Sequence, residues 1–301
     1  MTASQFQSAY QCVDDGIELM RLALGLVIYF SGGLAAHRQG LTAAVDAAWP
    51  LVAPGVRSFQ TTNMKTPRKL KDGKDVLMRM LEEPPSPVYD YVVVDNRHTI
   101  DEAPDCCIEL AHAGYRSGGY ILCRLPVGER AGHEKLLDLT LKIASRWDVG
   151  HGYAGYTLAL NTIGLKAALP KWMFYGIGMR HPGVDLPSAG NTSFVAADGI
   201  KRINWLTVLG TGMVARVGSL NGLERQRGVV VHKTAASVVV QAGEEPLIGD
   251  TNRRDTCEVY HRVGRALKSI RATSHPAFII PNGELVASDE ETETWLSSLD
   301  D

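Results

Sequence analysis

Nothing in the cysteine content of this 301-residue sequence reads as a disulfide framework or a metal site. Cys12, Cys106, Cys107, Cys123 and Cys257 are odd in number and irregularly spaced, and no CxxC pair is among them. A chain of this length needs no covalent staples, so the expectation is reduced and mostly buried thiols. A charge surplus is also missing. The 31 Lys and Arg against 33 Asp and Glu leave a net charge of −2, which gives no global field to attract nucleic acid or an anionic membrane. Long apolar runs are absent too. The most apolar stretch, Leu19 to Phe30, is too short to span a bilayer and is interrupted by Arg21 and Gly25. The opening MTASQFQSAYQCVDDG has neither the basic start nor the apolar run of a signal peptide. The expectation is a cytoplasmic protein without a membrane segment.

What is present describes a globular chain: 45% hydrophobic and 21% charged residues, with ample length for a core. No composition shift marks a boundary, so one domain over 1–301 is expected, with 1–14 and 288–301 as flexible ends. Ile17 to Phe30 reads as one long strand or two meeting near Gly25. Leu41 to Trp49 reads as a helix stopped by Pro50, and Gly55 to Thr61 as a short strand. Arg68 to Glu83 reads as a helix interrupted near Gly73, and Pro84 to Pro87 as a stiff connector. Tyr89 to Arg97 and Tyr120 to Val127 are buried strands with a short, helical insertion, Asp101 to Gly114, between them.

His133 to Trp147 places Leu136, Leu137, Leu141 and Ala144 on one helical stripe. Gly150 to Asn161 is strand-like, Leu165 to Tyr175 helical around Pro170, and Gly176 to Ala197 rich in loops. Ile203 to Val208 is a strand, and Arg227 to Gly243 a hairpin turning near Lys233 to Ala235. Asp255 to Arg271 is a helix with an Asp255/Glu258 capping box and an inner stripe of Cys257, Tyr260, Val263, Gly264, Leu267 and Ile270. Strands and helices mix without β-α-β alternation. The fold class is therefore α+β, with a mixed, mainly antiparallel sheet and helices packed against it.

Few constellations point to chemistry. Gly210-Thr211-Gly212-Met213-Val214-Ala215 fits G-x-G-x-x-A after a strand, the turn that seats a pyrophosphate at a helix N-terminus. Its context argues for a plain strand-ending turn. The following helix is cut short by Gly218 and Gly222, and Val229 to His232 stand where an acidic ribose ligand belongs. A nucleotide-dependent enzyme using Gly210 and Gly212 stays open as an alternative. The nine histidines form no HxH, HExxH or i, i+4 pair, so no metal is called for. No serine sits in G-x-S-x-G. Asp95-Asn96-Arg97-His98 could serve acid–base work but reads as a polar strand end. The cations Lys65, Arg68, Lys69, Lys71 and Lys74 are placed on the early helix as a solvated face, since no aromatics are interleaved with them. The C-terminal acids Asp289, Glu290, Glu291, Glu293, Asp300 and Asp301 read as a solvated tail, or as an acidic decoy of nucleic acid.

Five segments carry a resemblance: GYAGYTL (152–158), MRHPGVDL (179–186), IKRINWLTVLG (200–210), VVVQAGEEPLIGD (238–250) and TCEVYHRVGRALKSIR (256–271). In order and spacing they resemble the type VI secretion immunity proteins, TsiV-like. The resemblance implies a cytoplasmic, non-enzymatic protein without a cofactor. Its partner would be a cognate effector toxin, often a nuclease, blocked at its active cleft. Carboxylates are natural surrogates for phosphates in such a cleft. The candidate contacts are Glu244, Glu245, Asp250 and Arg253 on one loop, Arg180, His181 and Asp185 on a second, and then the acidic tail. A structural or adaptor component of the secretion apparatus is the other alternative.

Overall fold

The computed structural model describes residues 1–71, 73–83, 88–113, 118–128, 130–160, 171–279 and 285–300. Its elements begin with α1 (Ala3–Ala9), β1 (Cys12–Asp14), β2 (Ile17–Phe30), α2 (Leu34–Val52), β3 (Ser58–Thr61) and β4 (Arg68–Lys69). Next come α3 (Gly73–Glu82), β5 (Tyr89–Asp95), β6 (Cys107–Ala113), β7 (Gly119–Pro126), α4 (Arg130–Arg146) and β8 (His151–Leu160). The chain continues with α5 (Lys171–Arg180), β9 (Val184–Asp185), α6 (Ala189–Ser193), β10 (Leu206–Gly210), α7 (Thr211–Val217) and α8 (Asn221–Glu224). It closes with β11 (Val229–Lys233), β12 (Ser237–Ala242), α9 (Glu258–Leu267), β13 (Phe278–Ile279), β14 (Leu285–Ala287) and α10 (Asp289–Ser297).

The strands form one 12-stranded sheet in the order β11-β12-β10-β8-β2-β7-β6-β5-β3-β4, and β13 pairs separately with β14. Within the large sheet β1 flanks β2, and β9 runs parallel to β8; the other pairings are antiparallel. The α+β reading with a mainly antiparallel sheet holds. β2 is its axis, one uninterrupted strand between β7 and β8. Gly25 does not break it. It lies opposite Gly155, and a Cβ there would come 2.5 Å from the Thr157 methyl group, so the glycine makes room for the neighbouring strand.

One face of the sheet is covered by helices. Leu24, Leu26, Ile28, Val92, Ile108, Leu110 and Cys123 pack with Leu41, Val45 and Ala48 of α2, Leu77 and Leu81 of α3, and Leu136, Leu139 and Ile143 of α4. Each such aliphatic side chain contributes about 1.5–3 kcal/mol when fully buried. On the other face Val27, Tyr29, Tyr120, Leu122 and Tyr153 pack under Ala189 of α6 and Ala196 beyond it.

Several expectations are corrected. β6 is a strand where a helical insertion was expected; it is sandwiched between β5 and β7 and buried on both faces, which erases the alternation that would have marked it. Arg68 and Lys69 lie in strand β4 rather than on a helix, and of the basic cluster only Lys74 is helical, where it pairs with Asp46. α2 runs through Pro50 to Val52, which the last turn tolerates at the loss of one backbone bond. In α4 the buried stripe runs through Leu136, Leu139, Ile143 and Ala144, with Leu137 and Leu141 half-buried. The Asp255/Glu258 capping box does not form. α9 starts at Glu258 behind Cys257, whose backbone is left-handed (φ 57°), while Asp255 bridges back to Asp250 through the backbone. Its inner stripe from Cys257 to Ile270 is buried as expected.

The ends expected to be loose are packed helices. α1 carries a Thr2/Gln5 capping box and buries Phe6, and α10 carries a Ser288/Glu291 capping box and buries Trp295. The Pro84 to Pro87 connector and the first part of the expected Leu165 helix lie outside the described residues. All five cysteines are free and four are buried. Among the described residues no helix is long and apolar enough to cross a membrane.

Candidate functional site

The Gly210–Gly212 turn is a corner between β10 and α7. β10 runs antiparallel to both its neighbours, β8 and β12, so no parallel crossover exists here. The Asp148 carboxylate already accepts from the Thr211 backbone N–H (2.8 Å) and hydroxyl (2.6 Å), at the helix start where a phosphate would sit. The Asp95-Asn96-Arg97-His98 quartet is likewise committed. Arg97 and Asp95 form a buried pair at 2.6 Å, Ser58 donates to Asp95 and Arg97 to Gln60. Asn96 donates to Asp105, and His98 contacts Arg57. Among the described residues no group of three or more His, Cys, Asp or Glu could hold a metal.

Four of the seven candidate contacts do meet. Arg180, at the end of α5, donates from Nε and Nη2 to the two oxygens of Asp250, each at 3.0 Å. Arg253 approaches the same carboxylate at 3.5 Å, and the Asn252 N–H donates to it at 3.2 Å. Such a fork-to-fork pair fixes geometry as well as charge, and the Arg180 guanidinium holds the Asp250 carboxyl below the usual range. Next to Arg180, the fully buried His181 contacts the Gly249 carbonyl through Nδ1 at 2.7 Å. A carbonyl only accepts, so Nδ1 carries the proton. In the neutral ring favoured by burial, Nε2 then accepts from the Tyr10 hydroxyl at 2.7 Å. Tyr10 and Phe6 also pack edge-on against the imidazole, tying α1 to this hub.

The hub clamps the loop from Gly243 to Arg254. At its near end Trp205 Nε1 and Gln241 Nε2 both donate to the Gly243 carbonyl at 3.0 Å. In its middle the Leu247 N–H donates to the Tyr260 hydroxyl at 3.0 Å. Gly183 lies flush against this segment, where a Cβ would overlap the Leu247 carbonyl. The loop is thus rigid and presents Glu244, Glu245, Leu247 and Arg253 outward. Burial decides the remaining candidates. Asp250 and His181 hold the loop from beneath and offer no surface, while the Arg180 side chain is 37% exposed. Asp185 lies apart and buried, 2.8 Å from the Lys201 ammonium. In the acidic tail Glu291 caps α10 while staying exposed like Asp289 and Glu290, Glu293 accepts from the His275 N–H and Asp300 pairs with Arg271; Asp301 lies outside the described residues. Tyr10, which steadies the hub, carries no sequence signal because its partner lies far along the chain, and Tyr260, which steadies the loop, is legible only as part of the helical stripe.

The profile of the TsiV family, described as type VI immunity for VRR-NUC, matches residues 125–298, more than half of the chain and all of the clamped loop. The chain belongs to the TsiV family. Its function is that of this family, immunity in type VI secretion. A Pseudomonas aeruginosa T6SS protein, PA0821, has the same fold, with a TM-score of 0.77 over 98% of this chain and 89% of its own at 18% identity. No curated protein matches the sequence.

Proposed function

We propose that this TsiV-family protein binds one cognate VRR-NUC nuclease in the cytoplasm of the producing cell and blocks its active cleft without catalysis of its own. The family match across the clamped loop carries the reading. The loop supports it physically. Glu244 and Glu245 are exposed carboxylates on a segment whose backbone is already fixed by Trp205, Gln241, Tyr260 and the Arg180–Asp250 pair. A loop ordered before binding loses little entropy on docking, and carboxylates facing a phosphate-binding cleft speed encounter. The exposed Leu247 would add apolar contact at the centre, and Arg253 at the rim would complete the patch.

The test uses the product of the gene next to this one, assayed for DNA cleavage. Co-expression restores growth, the two proteins co-purify in a fixed ratio, and the purified protein stops DNA cleavage stoichiometrically. Absence of both rescue and co-purification overturns the proposal. Gene deletion separates it from an adaptor role: loss of an inhibitor exposes the cell to its own effector, whereas immunity that persists after deletion points to an adaptor.

A further inference from the structure

The open cleft between α3 and the far end of the sheet has a volume of about 780 Å³, within the range of ligand sites. Its floor is apolar. Phe59 of β3 and Val92 of β5 contribute from the sheet, and Val76 and Met80, one turn apart on α3, from the facing wall. Four cations stand around it: Arg68, Lys69, Lys71 and Arg79. All four are exposed, and none has an acidic partner among the described residues. Lys74, beside them in sequence, is by contrast paired with Asp46 and does not line the cleft. Two acids share the lining, Glu83 and Asp90, and Asp90 is already engaged by the Thr62 hydroxyl at 2.6 Å. The cleft therefore offers an apolar trough beneath unspent positive charge.

We infer that this cleft docks an acidic peptide segment of a partner protein, its apolar side chains on Phe59, Val76 and Met80 and its carboxylates on Arg68, Lys69, Lys71 and Arg79. Charge complementarity selects the sign of the ligand. The floor selects its class. Nucleic acid tolerates few carboxylates along its phosphates, whereas here Glu83 and Asp90 sit within the positive rim, and beside the rings of Phe59 and Tyr91 the trough is lined by Leu34, Val76, Met80 and Val92. A peptide carries its charges singly and can place them to avoid those two. His112 agrees with this assignment. It lines the floor, is 1% exposed, and neither ring nitrogen has a hydrogen-bond partner. Burial favours its neutral form, which has one donor and one acceptor, the pairing that a peptide group returns and a phosphate does not. The cleft is built wholly from residues before 125, outside the stretch that the family profile matches, so the inference does not rest on the nuclease-inhibitor reading.

The experiment is selection of a displayed library of random twelve-residue peptides on the full-length protein. Binding of the synthesised winners is then followed by fluorescence anisotropy. The cleft variant is Arg68→Glu/Lys69→Glu/Arg79→Glu. The control variant Lys65→Glu/Lys135→Glu/Lys268→Glu makes the same charge change outside the cleft lining, and circular dichroism checks both for folding. The expected winners combine Asp or Glu with Leu, Met or Phe. They bind the control variant like the wild type, and they lose affinity for the cleft variant by about ten-fold or more. Selection of no acidic consensus, or winners that bind the cleft variant as tightly as the control, overturns the inference. So does a labelled single-stranded oligonucleotide that binds more tightly than the peptides and is lost in the cleft variant.

Discussion

Lys201→Met tests whether the second half of the protein is locked by a buried charge. Lys201 is 1% exposed, and its ammonium has three N–H groups and three acceptors: Asp185 Oδ1 at 2.8 Å, the Leu186 carbonyl at 2.7 Å and the Tyr153 hydroxyl at 3.4 Å. The rings of Trp295, Tyr153 and Phe278 surround it at 5.1, 5.2 and 5.7 Å. Methionine keeps the volume and deletes the donors, leaving the Asp185 carboxylate buried without its cation. Removing one partner of a buried pair costs about 3–5 kcal/mol. Asp185→Leu/Lys201→Met removes both charges and retains the loss at the Leu186 carbonyl, about 1–3 kcal/mol, with a smaller one at the more distant Tyr153 hydroxyl. The double variant should therefore be more stable than Lys201→Met alone. Urea unfolding at pH 7, read as midpoint shifts at constant m-value, measures this. Asp185→Leu alone has a pH signature. Burial, the larger influence, already lowers the Lys201 pKa while Asp185 opposes it, so deleting Asp185 lowers it further. The unfolded chain then binds the extra proton below about pH 10.4, and stability rises as pH is raised from 7 towards that value. A Lys201→Met cost under about 1 kcal/mol, or a double variant as unstable as the sum of the singles, would refute the argument.

Trp205→Ala empties a core site and releases the Gly243 carbonyl; a loss of about 3–5 kcal/mol in chemical denaturation is expected. Acid should destabilise the fold through His275. Burial foremost, with the nearby Lys201, lowers its pKa to about 4, while Nδ1 donates to the Pro276 carbonyl and Nε2 accepts from Thr192. Because the unfolded ring titrates near 6.5, this contribution is complete above about pH 6.5 and falls by up to roughly 3 kcal/mol towards pH 4. A His275→Gln protein should show a flatter pH–stability profile across that window. Finally, Glu244→Lys/Glu245→Lys, checked for folding by circular dichroism, should slow association with the nuclease by about ten-fold at low salt, measured by stopped flow; an unchanged rate places the contact elsewhere.

The strong periodic signals survived folding. The stripe of α9 from Cys257 to Ile270 and the hairpin of β11 and β12 emerged where the pattern put them. So did the central strand β2, since a largely apolar stretch without proline, interrupted only by Glu18, Arg21 and Gly25, has few other fates. β6 did not, because a strand buried on both faces loses the alternation that identifies it. The helical start of α9 misled for another reason: Asp255 found a backbone partner in Asp250, and the helix began behind a left-handed Cys257 instead.

The same division runs through the site. Residue order alone carried the family, because the segments from 152 to 271 keep their spacing whatever their side chains touch. It also singled out the loop as a candidate. Which of its charges face outward was decided in three dimensions. Asp250, His181 and Asp185 look as polar in the sequence as Glu244 and Arg253, yet Arg180, Tyr10 and Lys201 draw them inside. A buried charge needs a partner that the fold supplies from far along the chain, and Tyr10 reaches His181 across 171 positions. Pairing over such distances is a property of packing, so only the tertiary structure could separate the residues that hold the loop from those that it offers.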